Sequence, residues 1–205
     1  MKHIEPETTL PQEKLIAVIR FFHQRGWSPA TSTNYSFRNE DKETYTISVS
    51  GIDKSQFCAS DLMVIDKSGN AIPAFQHLKP SQETLLHTML YKNASTNAVL
   101  HTHSIAGTVI SRRLATQKGV FLRGYEVLKG LGDISTHNTE VFIPIFPNSQ
   151  DIASLSKEVG LYLQENPDMY GFLLEGHGLY SWGKSIEEAK RHIEVLEFLF
   201  ECELA

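Results

Sequence analysis

Residues 98–103 read Ala98-Val99-Leu100-His101-Thr102-His103, and this short stretch decides how the chain is organised. Three apolar residues run straight into a His-Thr-His triplet, and a polar Asn93–Asn97 segment precedes them. A brief apolar run behind turn-forming residues predicts a strand. Successive side chains of a strand point to opposite faces, so His101 and His103 project to one side and Thr102 to the other. Two imidazoles placed this way can share one ion.

Elements of both periodicities surround this strand. Upstream, Ser81 to about Tyr91 pairs Leu85 with Met89 and Leu86 with Leu90 at helical spacing. Further back, Leu15, Val18, Ile19 and Phe22 mark a helix from about Pro11 to Arg25 that Gly26 stops. Tyr45–Ser50 alternates as a half-buried strand does, and Leu62–Ile65 is a short apolar run before the turn residues Lys67–Asn70. Downstream, the pattern predicts a short helix near Ala106–Leu114, a strand at Val141–Ile145, a helix near Asp151–Gln164, and strands around Phe172–Leu174 and Leu179–Trp182. Ser185-Ile186-Glu187-Glu188 fits a capping box, and Ala189, Ile193, Leu196 and Phe200 form an apolar stripe behind it. Interleaved strands and helices imply a layered α/β domain. With no repeat, low-complexity segment or linker, residues 1–205 are expected to form one domain.

Composition excludes several classes of function. The 205 residues are 41% hydrophobic and 21% charged, a balance that supports a folded core. A net charge of −5, from 19 basic and 24 acidic side chains, leaves no large positive field for a nucleic-acid backbone. Cys58 and Cys202 form no framework, as expected in a reducing, cytoplasmic setting. Met1–Glu7 lacks the apolar run of a signal peptide, and residues 93–111 are too polar to enter a bilayer. No membrane partner is expected.

Among nine histidines, His177 stands out with the His101–His103 pair, because Gly176 and Gly178 flank it and let backbone approach a crowded site. Three histidines and an open position match a catalytic zinc centre, with nitrogen–zinc distances of about 2.0–2.1 Å. On spacing alone, a pair of satisfied polar residues on a sheet face is the commoner reading. Two carboxylates merit weighing. Glu83 sits in the first turn of a predicted helix, where an acidic side chain also simply suits the helix dipole, and Glu126 reads as a solvent-facing helix residue. The clusters Thr31–Ser36, Ser48–Gly51 and Pro80–Ser81 could donate hydrogen bonds to a phosphate, although turn chemistry explains each separately. Trp27, Trp182 and Phe198–Phe200 read as core.

Taken together, Thr31-Ser32-x-Asn34-x-Ser36, Ser50-Gly51, Lys79-Pro80-Ser81-x-Glu83, His101-Thr102-His103-Ser104 and Gly176-His177-Gly178 resemble the class II aldolase/adducin family, in matching order over nearly the whole chain. Val49–Lys54, Glu126–Gly130 and His177–Gly183 look more narrowly like the methionine-salvage dehydratases within it. The resemblance implies a three-layer αβα sandwich around a central sheet and one zinc ion per chain held by His101, His103 and His177. It also implies a homotetramer with sites near subunit interfaces, and a ketose phosphate as substrate. Glu126 matches the general acid/base of the dehydratases, and Glu83 the catalytic glutamate of the family's aldolases; some dehydratases carry cysteine at the position of Glu83. Asn34, Ser36, Ser50, Gly51 and Ser81 match the phosphate and substrate positions. The implied reaction is loss of water from the sugar phosphate, with aldol cleavage or epimerisation by the same apparatus as the alternative, and a non-enzymatic adducin-like module as the second. One departure is Thr33, where many relatives have glycine; threonine resists positive φ.

Overall fold

A computed structural model describes residues 9–205, so the Met1–Glu7 segment and His3 lie outside the described residues. Eight strands form one sheet: β1 (Tyr35–Arg38), β2 (Thr44–Ser48), β3 (Leu62–Asp66), β4 (Ala98–Thr102), β5 (Gly119–Arg123), β6 (Glu140–Phe146), β7 (Gly171–Leu174) and β8 (Gly178–Gly183). Their spatial order is β3-β2-β1-β4-β8-β7-β6-β5. Every pairing is antiparallel except β6 with β7, whose connection is a helical crossover, as parallel neighbours require.

Helices cover both faces. On one side α1 (Pro11–Gln24), α3 (Ile105–Arg113) and α5 (Ile186–Leu204) bury their apolar stripes with Tyr35, Leu100 and Leu179. On the other, α2 (Thr84–Leu90) and α4 (Ile152–Glu165) pack with Ile47, Val99 and Tyr180. This is the expected three-layer αβα sandwich. In α5, Ala189, Ile193, Leu196 and Phe200 are all fully buried, and each of the three larger side chains contributes about 1.5–3 kcal/mol by leaving water. The helix starts where the capping pattern placed it: Ser185 Oγ accepts from the Glu188 amide, while the Glu188 carboxylate accepts from the Lys184 amide.

Four differences from the sequence reading have physical causes. Strand β1 begins at the end of the polar Thr31–Ser36 cluster and runs on to Arg38; Ser36 is fully buried yet satisfied by His87 and Tyr91, so no apolar alternation announces it. The edge strand β5 opens on Gly119 and carries an exposed Phe121 opposite Phe142, so its Val120–Leu122 run shows no apolar–polar alternation. Helix α2 begins at Thr84, later than periodicity suggested, because Ser81 makes a turn whose carbonyl accepts both the amide and hydroxyl of Thr84. Phe198 is half exposed while Leu199 and Phe200 are buried, since the 3.6-residue period carries position 198 to the outer face of α5.

The central strand β4 is buried along all five residues between β1 and β8. Its alternation sends Leu100 toward the α5 layer and Val99 toward the α2–α4 layer. His101 therefore opens on the α2–α4 side and Thr102 faces α5. Close approach to β8 demands glycine at 178, where a Cβ would stand 1.9 Å from the Thr102 carbonyl oxygen.

Candidate metal centre and active site

At the end of β4, His101 and His103 meet His177, which the tight turn between β7 and β8 delivers. One ligand atom from each of the three lies within 4.8 Å of the others. The Nε2 of His101 stands 2.7 Å from that of His103 and 3.3 Å from that of His177. Tetrahedral zinc with nitrogen ligands separates neighbouring nitrogens by about 3.3 Å, close to this spread.

The outer nitrogens are held from behind. His101 Nδ1 donates to the Leu179 carbonyl at 2.9 Å, which leaves its Nε2 lone pair aimed at the other two rings. The Nδ1 of His177 lies 3.3 Å from Asn148 Oδ1. His101 also stacks on Tyr180, with 3.9 Å between ring centres. Burial, followed by repulsion from His103 and His177, holds His101 well below the usual histidine range. Burial pushes His103 down to about 3, with His177 adding to the effect. With its Nδ1 hydrogen on Leu179, His101 Nε2 offers a lone pair that accepts from His103 Nε2 at 2.7 Å, the same lone pair that a shared cation would take. The residues fit a metal ion.

Glu83 borders the same point. One carboxylate oxygen is 3.2 Å from His177 Nε2 and the other 3.8 Å from His101 Nε2. Asn34 Nδ2 donates to Glu83 Oε2 at 2.6 Å and to Ser81 Oγ at 3.2 Å. A cleft of about 580 Å³ opens in front, lined by Ser50, Ser81, Glu83, His103 and His177. Lys79 brings the cleft's one lysine, and Asn148 an amide beside those of Gln82 and Gln150; the motif containing Lys79 is visible in the sequence, whereas Asn148 has no signal beyond a polar pair after a strand. A larger groove of about 670 Å³ between α2 and α4 has no imidazole, carboxylate or thiol in its lining.

The remaining sequence-derived residues fall in three places. Asn34 is buried behind Glu83 rather than lining the cleft, and Ser36 lies deeper still. Gly51, at a φ of +75°, shapes the turn beside Ser50 without lining the cleft. Glu126 follows β5 in a short helical turn, with its side chain 71% exposed. It accepts from Lys129 Nζ at 2.6 Å and lies 3.3 Å from His137 Nδ1; the Lys129 hydrogen bond holds its carboxyl below the usual range. Its surroundings are a shallow apolar depression with Tyr125, Val127 and Phe198, and it does not line the cleft of its own chain.

The family described as Class II Aldolase and Adducin N-terminal domain matches residues 13–204. The chain belongs to this family. A methylthioribulose-1-phosphate dehydratase from Picosynechococcus sp. is 47% identical over 199 residues, which span 97% of this chain and 93% of the relative. One from Pseudomonas fluorescens is 47% identical over 193 residues, spanning 94% and 91%. Among solved structures, the L-fuculose-1-phosphate aldolase of Thermus thermophilus superposes with a TM-score of 0.73 at 21% identity, covering 94% of this chain and 92% of that one. The Klebsiella pneumoniae YgbL, a putative aldolase/epimerase/decarboxylase, reaches 0.77 at 23% identity, covering 95% and 88%. These likenesses confirm the class II aldolase fold. Among the described residues no helix is long and apolar enough to cross a membrane.

Proposed function

We propose that this chain is a zinc-dependent hydro-lyase that converts 5-(methylthio)ribulose 1-phosphate to 5-(methylthio)-2,3-dioxopentyl phosphate and water. The observation that carries the reading is the convergence of His101, His103 and His177 beside Glu83 in a family member whose relatives, 44–47% identical, bear that dehydratase name. When bound, zinc supplies a Lewis acid that draws electron density from the C2 carbonyl oxygen and makes the neighbouring C3 proton removable.

The chain's own groups do the rest. His101, His103 and His177 provide three nitrogens and leave one side open toward the cleft. Ser50, Ser81 and the Lys79 ammonium hold the phosphate at the polar rim, with Asn34 and Gly51 shaping the loops beneath it, while Ser36, bonded to His87 and Tyr91, takes no direct part. In the reaction the C3–H bond breaks and its proton passes to a carboxylate. The C4–O bond breaks as that hydroxyl takes a proton and leaves as water, and the enol ketonises at C3. Glu126 carries the proton transfers, a contribution of about 10²–10⁴-fold for a positioned acid/base. Exposed away from its own cleft, it serves the cleft of a neighbouring copy, and the assembly that the family resemblance implies for such shared sites is a homotetramer. The exposed Glu126 carboxylate over an apolar depression, and Ile105, 82% exposed beside the His103–Ser104 segment, support this assembly. Glu83 takes the second carboxylate position, against the histidines.

The test is incubation of zinc-loaded protein with 5-methylthioribulose, ribulose and fuculose 1-phosphates, followed by mass spectrometry. A product lighter by one water, from the first substrate alone, is expected; carbon–carbon cleavage or an isomer of equal mass overturns the reading. His103→Ala loses both bound ion and turnover.

A further inference from the structure

Behind Glu83 runs a buried line of polar groups with no contact with the cleft. Tyr91 Oη lies 2.7 Å from Ser36 Oγ, and Ser36 Oγ lies 2.7 Å from His87 Nδ1. His87 Nε2 meets Asn34 Oδ1 in a short contact, and Asn34 Nδ2 reaches Glu83. His87 is fully buried in α2, with Tyr180 presenting a ring edge to it at 5.8 Å between centres. The line ties together α2, β1 and the turn before α2.

Its proton directions can be worked out from one end. Asn34 turns its NH₂ group to Glu83 and its carbonyl oxygen to His87 Nε2, and a carbonyl oxygen only accepts. His87 Nε2 must then carry a hydrogen. Burial without a counter-charge pushes His87 down to about 3, so its ring holds a single N–H, and Nδ1 is an acceptor. The Ser36 hydroxyl therefore donates to Nδ1, and its oxygen accepts from Tyr91. Every donor points toward Glu83. Tyr91 is itself clamped, stacked on Tyr45 at 4.2 Å between ring centres with the Arg38 guanidinium 5.2 Å from its ring.

We propose that His87, with its proton on Nε2, is a positioning residue that locks the Asn34 amide in the one orientation able to hold the Glu83 carboxylate beside the three histidines. This inference rests on the reading that Glu83 works in the cleft. Turning the amide over would set its carbonyl oxygen against the carboxylate and its NH₂ against the imidazole N–H, two repulsive contacts in place of two hydrogen bonds. Without the imidazole N–H, the buried Asn34 oxygen loses its donor, and only the contacts of its NH₂ group are left to orient the amide. The Tyr180 hydroxyl, buried beside Glu83 and Asn34 with no well-formed hydrogen bond, offers no replacement at its present position.

Two measurements test it. Nitrogen-15 NMR of the histidine-labelled protein, with His87 identified by the signal missing from His87→Gln, is expected to show a proton on Nε2 and none on Nδ1. A proton on Nδ1, or on both, overturns the proposal whatever the enzyme's substrate proves to be. In turnover assays His87→Leu is expected to lower kcat by about 10–100-fold, the usual cost of losing an outer partner, with KM and metal content within about twofold of the parent. His87→Gln, whose amide can offer N–H near the Nε2 position, is expected to recover most of that loss. Equal activity in the leucine and glutamine variants, or a loss of metal in both, overturns the positioning role. Absence of dehydration in the parent, with the Nε2 tautomer present, would instead refute the assigned reaction.

Discussion

Glu197 on α5 is fully buried directly behind the metal-binding strand, where it accepts the Thr102 hydroxyl at 2.5 Å and that of Ser104. Ser104 in turn caps α3 by accepting the Gly107 amide. Burial pushes the Glu197 carboxyl from 4.5 to about 7, against the opposite pull of the two hydroxyls. The folded protein therefore binds a proton that the unfolded chain releases over this interval. Stability from this group is fully present below about pH 4.5 and is lost as pH rises through about 7. The interval, at about 1.4 kcal/mol per pH unit, corresponds to about 3 kcal/mol. Glu197→Gln removes the titration while retaining an acceptor for one hydroxyl. Urea unfolding of both proteins, metal-free and at one fixed concentration, near pH 5 and pH 8 should show the parent losing about 2.5 kcal/mol more than the variant across that range. All other ionisable groups are common to both proteins, so their effect cancels to first order. Parallel losses in the two proteins would mean that Glu197 is ionised throughout, and the reasoning from burial would be wrong.

Other outcomes follow from the same geometry. Glu126→Gln should keep its bound ion and lose most dehydration; co-refolded with His103→Ala, it should regain part of the activity through mixed assemblies that contain an intact shared site, and no recovery would place Glu126 outside a neighbour's cleft. Thr33 adopts a φ of +71°, a left-handed conformation that costs a β-branched residue about 1–2 kcal/mol. Thr33→Gly relieves this strain against a glycine entropy cost of about 0.5–1 kcal/mol, so a small gain in urea midpoint is expected, and a loss above about 1 kcal/mol would contradict it. Gly178→Ala forces a methyl group into the Thr102 carbonyl, and should abolish metal binding or folding, read by elemental analysis and circular dichroism.

Much of this molecule can be read from local pattern. The Ala98–His103 run forecast both a strand and the common side of His101 and His103, because alternation is a property of the extended backbone itself. The Ser185 cap and the stripe from Ala189 to Phe200 likewise forecast α5. Ordered motifs around the three histidines and Glu83 pointed to the family before any coordinates.

What pattern missed depended on contacts between distant segments. Ser36 reads as a turn or phosphate residue, yet packing of α2 against β1 turns it into an internal link between His87 and Tyr91. The need for small backbone at Gly178 is legible beside His177, but the group it approaches, the Thr102 carbonyl, is set by the pairing of β4 with β8. Glu126 carries a family motif, yet its own chain sets it on an exposed turn away from the cleft. Residue type and spacing determined which groups were available for chemistry and which faces would be buried, since those depend on a few neighbouring residues. Which of the groups meet was decided by the tertiary structure alone, because hydrogen bonding, burial and charge act over a few ångströms of space, however many residues separate the partners.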